Sequence, residues 1–429
     1  MLRRVMKSVL GIGLAAGLMS MALFALQAQK KVKDQGEFDI YTAVSKETDP
    51  GKQLQLLQMW KEKYPDSEFK EERAAMVAQN YASLGKPAEA IKAAQDVLST
   101  NPKSLRALVI IVNNARSVNP PTAESLSAGE QAANTLLTSI DTMKPAGVAD
   151  ADWNTAKAQI EQIAQTTLGW VKMTQKQNEA AEAAFHKVLQ ANAKNAQVSY
   201  WLGTILYAEK KFAPSLFEFA RAAVLTGDGA LPDAARQGAD QFLQRAYKGY
   251  HGSDEGLDAL KKMAASNALP PDDLKIASVT DIAAGQQQAE EEFLKAHPDI
   301  KLWRILRDAL KADGGEKYFA DNVKDALIPP QEGEFKMFKG KVVSMENPKE
   351  IIVAIDDTDG PTGDATLVFD AAIKGKLDPG VEIEFAGAPQ SYTKDPYNLK
   401  FVVDRKNVTG LPAGGPAAPV RRPPVKKKS

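Results

Sequence analysis

Histidine, cysteine and clustered carboxylates are the usual raw material of enzymatic sites, and this chain is sparing with two of the three. It has no Cys and 3 His in 429 residues. Thiolate nucleophiles, Cys-ligated zinc or iron–sulfur centres and disulfides are therefore excluded. His186 stands beside Phe185, His251 lies in a Gly-Tyr-His-Gly run, and His297 precedes Pro298. None has a base or ligand partner at a useful spacing, so each is expected to be structural or exposed. The sequence holds no P-loop, nucleophile elbow or His-Glu-x-x-His segment. The densest carboxylate run is Asp356-Asp357-Thr358-Asp359-Gly360-Pro361-Thr362-Gly363-Asp364. Calcium needs several hard oxygens to converge, and an EF-hand register would place its obligatory glycine at Gly360. That register opens on Ile355 and closes on Thr366, where Asp and Glu are required. The run reads instead as a solvated hairpin tip. No catalytic residue, cofactor or metal site is expected.

The elements around these residues begin with an apolar start. Arg3, Arg4 and Lys7 precede Ser8–Gln29, a stretch without a charge. Residues 1–28 read as a signal peptide or membrane anchor, with cleavage after Ala28 or Ala22. A lipoprotein is excluded, because there is no Cys to acylate. The string Gly11-Ile12-Gly13-Leu14-Ala15-Ala16 imitates a dinucleotide fingerprint but follows no strand. The protein is expected to be exported, to the periplasm or cell envelope.

From Phe38 to about Leu327 the apolar residues follow a helical period, broken by Gly, Pro and Asn-Pro. Self-similarity is informative here. Leu168-Gly169 recurs 34 residues later as Leu202-Gly203, Phe185 recurs as Phe219, and Ala181 answers to Ser215. Tyr81, Gly85, Ala90, Val97 and Pro102 carry the same grammar earlier. Gly85 suits a left-handed helix cap and Pro87 the first residue of the next helix. Residues 105–161 keep no clean register.

This spacing resembles the tetratricopeptide repeat family, whose helix pairs place Leu-Gly in the first helix and Ala, Phe and Ala in the second. Residues 162–195 and 196–229 match best, and 71–104 matches without the Leu-Gly. The resemblance implies an α-solenoid that binds protein partners without catalysis, in a groove lined by the first helix of each pair. It puts Thr166, Trp170, Met173 and Thr174 in that groove from one repeat, and Tyr200, Thr204 and Tyr207 from the next. Trp and Tyr there would be anchor side chains; packing between helices is their other possible use. At the positions where some family members clamp a C-terminal carboxylate stand Ala75 and Gln79, so that ligand class is not expected.

Near Gln331 the period changes to alternation. Phe338–Met345, Ile351–Ile355, Thr366–Phe369, Val381–Phe385 and Leu399–Val403 read as five strands, compatible with a small β-barrel, OB-like or SH3-like. Lys336, Lys339, Lys341, Tyr392, Tyr397 and Lys400 could form a basic-aromatic face, but nucleic acid is not an expected partner. The tail carries Arg421, Arg422, Lys426, Lys427 and Lys428 without an acid, a basic arm suited to anionic lipid or envelope polymer. The expected organisation is mainly α: 1–28 signal or anchor; 34–150 N-terminal helical repeats; 151–229 the best repeat pair. It continues with 230–328 the last solenoid helices, 331–410 a β domain folding on its own, and 411–429 a disordered tail. The expected function is a cell-envelope scaffold for protein–protein interaction. A ligand-binding receptor or carboxylate-dependent enzyme, with its site on the β domain or the solenoid–barrel junction, stays open beside it, since paired carboxylates need no local motif.

Overall fold

The computed structural model describes residues 30–332, 335–356 and 362–412. Among them are fifteen helices and seven strands. The expected signal or anchor, the residues from 413 onward in the tail, and Asp357–Pro361 of the acidic run lie outside the described residues. Contacts divide the chain into two units, between Val279 and Thr280.

The first unit is an array of helix pairs: α1 (Gln35–Lys46), α2 (Pro50–Lys63), α3 (Lys70–Ser83), α4 (Pro87–Thr100), α5 (Leu105–Ala115) and α6 (Ala123–Ser139). It continues through α7 (Asp150–Thr174), α8 (Asn178–Ala191), α9 (Ala196–Ala208), α10 (Phe212–Val224), α11 (Asp233–His251) and α12 (Leu257–Ser266). Helix starts follow their caps. Asp49 accepts from the Lys52 amide with Pro50 at the first position, Asn195 accepts from the Val198 amide, and Thr122 and Ser125 form a capping box. The mainly α, repeat-built fold expected from the sequence is the one observed.

The 34-residue similarity has a steric meaning. A Cβ on Gly169 would lie 2.5 Å from Phe185 Cε1, and one on Gly203 would lie 3.2 Å from the Phe219 ring. Each buried Phe of a second helix thus fills the space left by a glycine of the first. Between the two helices of a repeat, Gly85, Lys176 and Lys210 all turn the chain with positive φ, at 68°, 61° and 62°. All three occupy the same position of the repeat. Residues 105–161, without register in the sequence, still form two helices and the first part of a third. Their Ala107, Leu108, Ile111, Ala132, Leu136 and Ile160 are buried in one cluster.

The second unit holds α13 (Val279–Ala296, from Thr280 on), α14 (Pro298–Lys311), α15 (Gly315–Tyr318) and the sheet. The strands are β1 (Phe338–Asn347), β2 (Glu350–Ala354), β3 (Ala365–Phe369), β4 (Glu382–Phe385), β5 (Ala388–Lys394), β6 (Tyr397–Val403) and β7 (Val408–Thr409). The five expected strands are present as β1, β2, β3, β4 and β6. β5 and β7 were not foreseen: Ala-Pro-Gln-Ser-Tyr-Thr-Lys has no apolar alternation, and Val-Thr is too short to show one. The barrel expectation is corrected. The order is β5-β6-β3-β2-β1-β4-β7, with β3 and β6 parallel, and no ladder closes its ends. The sheet is nevertheless curled, because β4 and β5 stand near opposite ends of that order and only Ala386-Gly387 joins them. A Cβ on Gly387 would come within 2.6 Å of Val403 Cγ1, which is why a glycine turns this corner.

The expected boundary at Pro329-Pro330 is also corrected. Trp303, Leu306 and Leu310 of α14 are buried in the same cluster as Phe338, Phe385 and Phe401 of the sheet. The Trp303 ring lies 5.5 Å from Phe338 and 6.1 Å from Phe401. Ile328 exchanges backbone hydrogen bonds with Gly387 at 2.9 and 3.0 Å. The helices of 298–323 are therefore part of the β unit's core, not the end of the solenoid. An amphipathic helix has the same period whichever neighbour it covers, so periodicity could not assign α14 to its partner.

Candidate functional site

The groove residues of α7 and α9 fall into three groups. Thr166 is buried, 7% exposed, and its hydroxyl donates to Gln162 O at 2.7 Å, so it belongs to the helix wall. Thr174 and Thr204 are exposed, and each donates to the carbonyl one turn back, Trp170 O and Tyr200 O, at 2.8 Å. The aromatics form the third group. Tyr200 is half-buried and stands edge-on to Phe219 at 5.6 Å, and desolvation raises its phenol pKa. Tyr207 is 38% exposed and rests against Phe212, Phe242 and Phe219 at 5.4, 5.8 and 6.4 Å. Both tyrosines are therefore supported by one buried ring. Trp170 is half-buried and makes no ring contact with another described aromatic. Packing between helices is thus seen for the two tyrosines, while part of each aromatic stays open to solvent. Met173 is half-buried against the cluster of Phe185 and Leu202.

A buried polar knot adjoins Tyr200. Arg221 of α10 donates to Ser199 Oγ at 3.2 Å, to Ala264 O at 3.1 Å and to Ala193 O. Glu218, fully buried one turn earlier, has Oε2 3.8 Å from Arg221 Nε and no hydrogen bond of good geometry to either oxygen. Desolvation pushes its pKa up to about 8, against the smaller opposing pull of Ser199 and Arg221. Burial thus favours its neutral, protonated form. Nothing in the sequence marked Glu218, since a helix that is apolar around it looks the same with a surface Glu.

The acidic run of the second unit has a structural role at both ends, and its expected solvated character is corrected there. Asp356 is buried and accepts from Arg304 at 2.7 and 3.1 Å and from Arg307 at 3.1 Å. Asp364 accepts from the Ile355 and Asp356 amides at 2.8 and 3.2 Å and from Trp303 Nε1 at 2.8 Å. Burial raises Asp364 to about 6 in spite of those donors. The basic-aromatic face does not assemble. Tyr392 and Tyr397 pack on Phe319 and Trp303 at 5.0 and 5.9 Å, with both hydroxyls buried. Lys339 and Lys400 pair with Glu384 at 3.7 Å and Glu350 at 2.9 Å. Among the described residues no group of His, Asp and Glu could hold a metal ion. His186 Nε2 lies 3.5 Å from Glu182, while His251 and His297 lie 2.8 and 2.9 Å from the carbonyls of Ala277 and Phe293.

Residues 166–238 match the tetratricopeptide repeat family. That segment is similar to tetratricopeptide repeats. It runs from the end of α7, through the paired helices α8, α9 and α10, into α11. Solved structures with a similar course include an assembly chaperone of RpL4, 12% identical, with 60% of this chain and 98% of that one covered and a TM-score of 0.39. PilF of Pseudomonas aeruginosa is 16% identical over 55% and 90%, TM-score 0.34. A tetratricopeptide repeat protein from Parabacteroides merdae is 13% identical over 54% and 99%, TM-score 0.29. No curated protein matches the sequence. Tetratricopeptide repeats in general mediate protein–protein interaction, and the groove aromatics lie within the matched segment.

Proposed function

We propose that this protein is a non-enzymatic scaffold of the bacterial cell envelope that holds a protein partner in its tetratricopeptide groove. The observation that carries this reading is the partial exposure of Trp170 and Tyr207 on successive first helices, in the part of the chain that matches the family. Large aromatics that are rigidly backed yet partly exposed are the usual anchors of an interface. Tyr207 has that backing from Phe212, Phe242 and Phe219. Export is supported by the basic start and the uncharged Ser8–Gln29 stretch. In the second unit the two buried carboxylates, Asp356 and Asp364, have their oxygens occupied by arginines, amides and an indole. Those occupied oxygens support the scaffold reading over that of a carboxylate enzyme.

The test is crosslinking in intact cells followed by pull-down, with wild type, Trp170→Ala and Tyr207→Ala. Loss of the same partner in both variants, with unchanged melting temperatures, is the expected result. Unchanged partners in stably folded variants would remove the groove from the account. Recovery of the chain from a soluble cytosolic fraction with Met1 intact would remove export.

A further inference from the structure

The second helices of the earlier repeats turn a small or charged outer face to water. Lys92 and Asp96 of α4 are exposed there, as are Ala183 and Lys187 of α8. The matching places in α10 hold Phe217 and Arg221, and both are fully buried. Every residue of α10 from Ser215 to Ala222 is buried, so this helix is enclosed on all sides.

Residues 257–278 enclose it. α12 lies on α10 more than on α11, and its Leu257, Leu260 and Ala264 share a cluster with Leu216, Phe217 and Ala220. The residues that follow return over the same cluster with Leu274 and Ile276, while Lys275 between them is exposed. Leu269 packs on the cluster of Phe185 and Leu202, and the Ala277 carbonyl lies 2.8 Å from His251 Nδ1.

The joint between α10 and this cover is polar. Arg221 donates to Ala264 O of the cover at 3.1 Å and to Ser199 Oγ of α9 at 3.2 Å. Its ion partner Glu218, 3.8 Å away, is fully buried with no hydrogen bond to either oxygen. A face closed for good is better filled with apolar side chains, because desolvation of a buried pair often exceeds its attraction. A face that opens gains from charge, which keeps it soluble when bare. The cover is also weak by itself. α12 has 10 residues, and helices shorter than about 12–15 residues are marginal without their packing. Such a segment can open while the helices it covers stay folded.

We propose that the outer face of α10 is a second docking surface, which takes an amphipathic helix of a partner protein and which residues 257–278 close in the free chain. The cover shows the chemistry that fits: apolar side chains at i, i+3 and i+7, as Leu257, Leu260 and Ala264 stand. This surface is carried by a second helix, whereas Trp170 and Tyr207 stand on first helices.

Native-state hydrogen exchange of the full chain and a labelled synthetic peptide of residues 256–278 test it. The amides of α12 should exchange through an opening about tenfold or more as frequent as that of α9 and α10. Exchange of the three helices together would make α12 a fixed end-cap and overturn the proposal. Wild type should bind the peptide weakly, since its own segment competes. Leu274→Asp with Ile276→Asp loosens the cover and should tighten peptide binding about tenfold or more. Adding Phe217→Ala, which puts there the residue type of Ala183 in the preceding repeat, should reverse the gain. Leu257→Asp with Leu260→Asp in the peptide should reverse it too. An unchanged affinity in the loosened chain, or a gain that survives either reversal, overturns the proposal. If the loosened chain does not fold, the exchange pattern of wild type decides alone.

Discussion

At the scale of single residues, Glu218 makes stability depend on pH in a direction opposite to that of a paired surface carboxylate. Its ordinary value is 4.5, and burial lifts it to about 8 in the folded chain. Below the ordinary value both states are protonated and nothing is lost. As pH rises between the two values the unfolded chain releases the proton and the folded chain keeps it, so stability falls, levelling off above about 8. Glu218→Gln, which matches the neutral acid in shape, should therefore gain on the order of 3 kcal/mol at pH 7 and almost nothing near pH 4. Denaturation midpoints at both pH values check this; an equal gain at the two would mean that Glu218 is ionised when buried. Asp364, raised to about 6, adds a slope of the same sign in the second unit. The two lysines with positive φ offer a separate test. A left-handed backbone costs a non-glycine residue about 1–2 kcal/mol, and glycine returns part of that through its freer unfolded state. Lys176→Gly and Lys210→Gly should each stabilise by up to about 1 kcal/mol in urea unfolding.

Pairs of elements are matched by shape, and the match is not equally tight in the two repeats. The added methyl of Gly169→Ala would sit 2.5–2.6 Å from two atoms of Phe185, whereas that of Gly203→Ala meets Phe219 at 3.2 Å. Overpacking of this kind costs about 1–3 kcal/mol. Gly169→Ala should fall at the upper end and Gly203→Ala near or below the lower, as read from thermal unfolding. In the second unit, Trp303 ties α14 to the sheet by stacking and by its bond to Asp364. Trp303→Ala should cost about 3–5 kcal/mol. Trp303→Phe keeps most of the apolar area but leaves Asp364 short of a donor, for about 1–3 kcal/mol. If the two variants cost the same, the hydrogen bond rather than the ring holds the helix.

For the molecule as a whole, the division between Val279 and Thr280 sets what can fold alone. A fragment of residues 280–412 should show a cooperative thermal transition. A fragment of residues 331–410, which lacks Trp303, Leu306, Leu310 and Ile328, should not, because the sheet then exposes the face those side chains cover. Far-UV circular dichroism of the two fragments separates the alternatives, and cooperative melting of the shorter one would restore a boundary at Pro329-Pro330.

The sequence by itself determined the repeat period, because large-against-small packing leaves a local trace: Leu168-Gly169 with Phe185, then Leu202-Gly203 with Phe219. It also determined five strands through alternation. Tertiary structure alone decided which neighbour each amphipathic face would cover. It gave α14 to the sheet, curled that sheet at Gly387 without closing it, and turned Tyr392 and Tyr397 inward. It likewise buried Glu218 beside Arg221 with no hydrogen bond to either carboxylate oxygen. A charge is legible in a sequence, but whether it finds a partner depends on residues far away along the chain, and only folding brings those near.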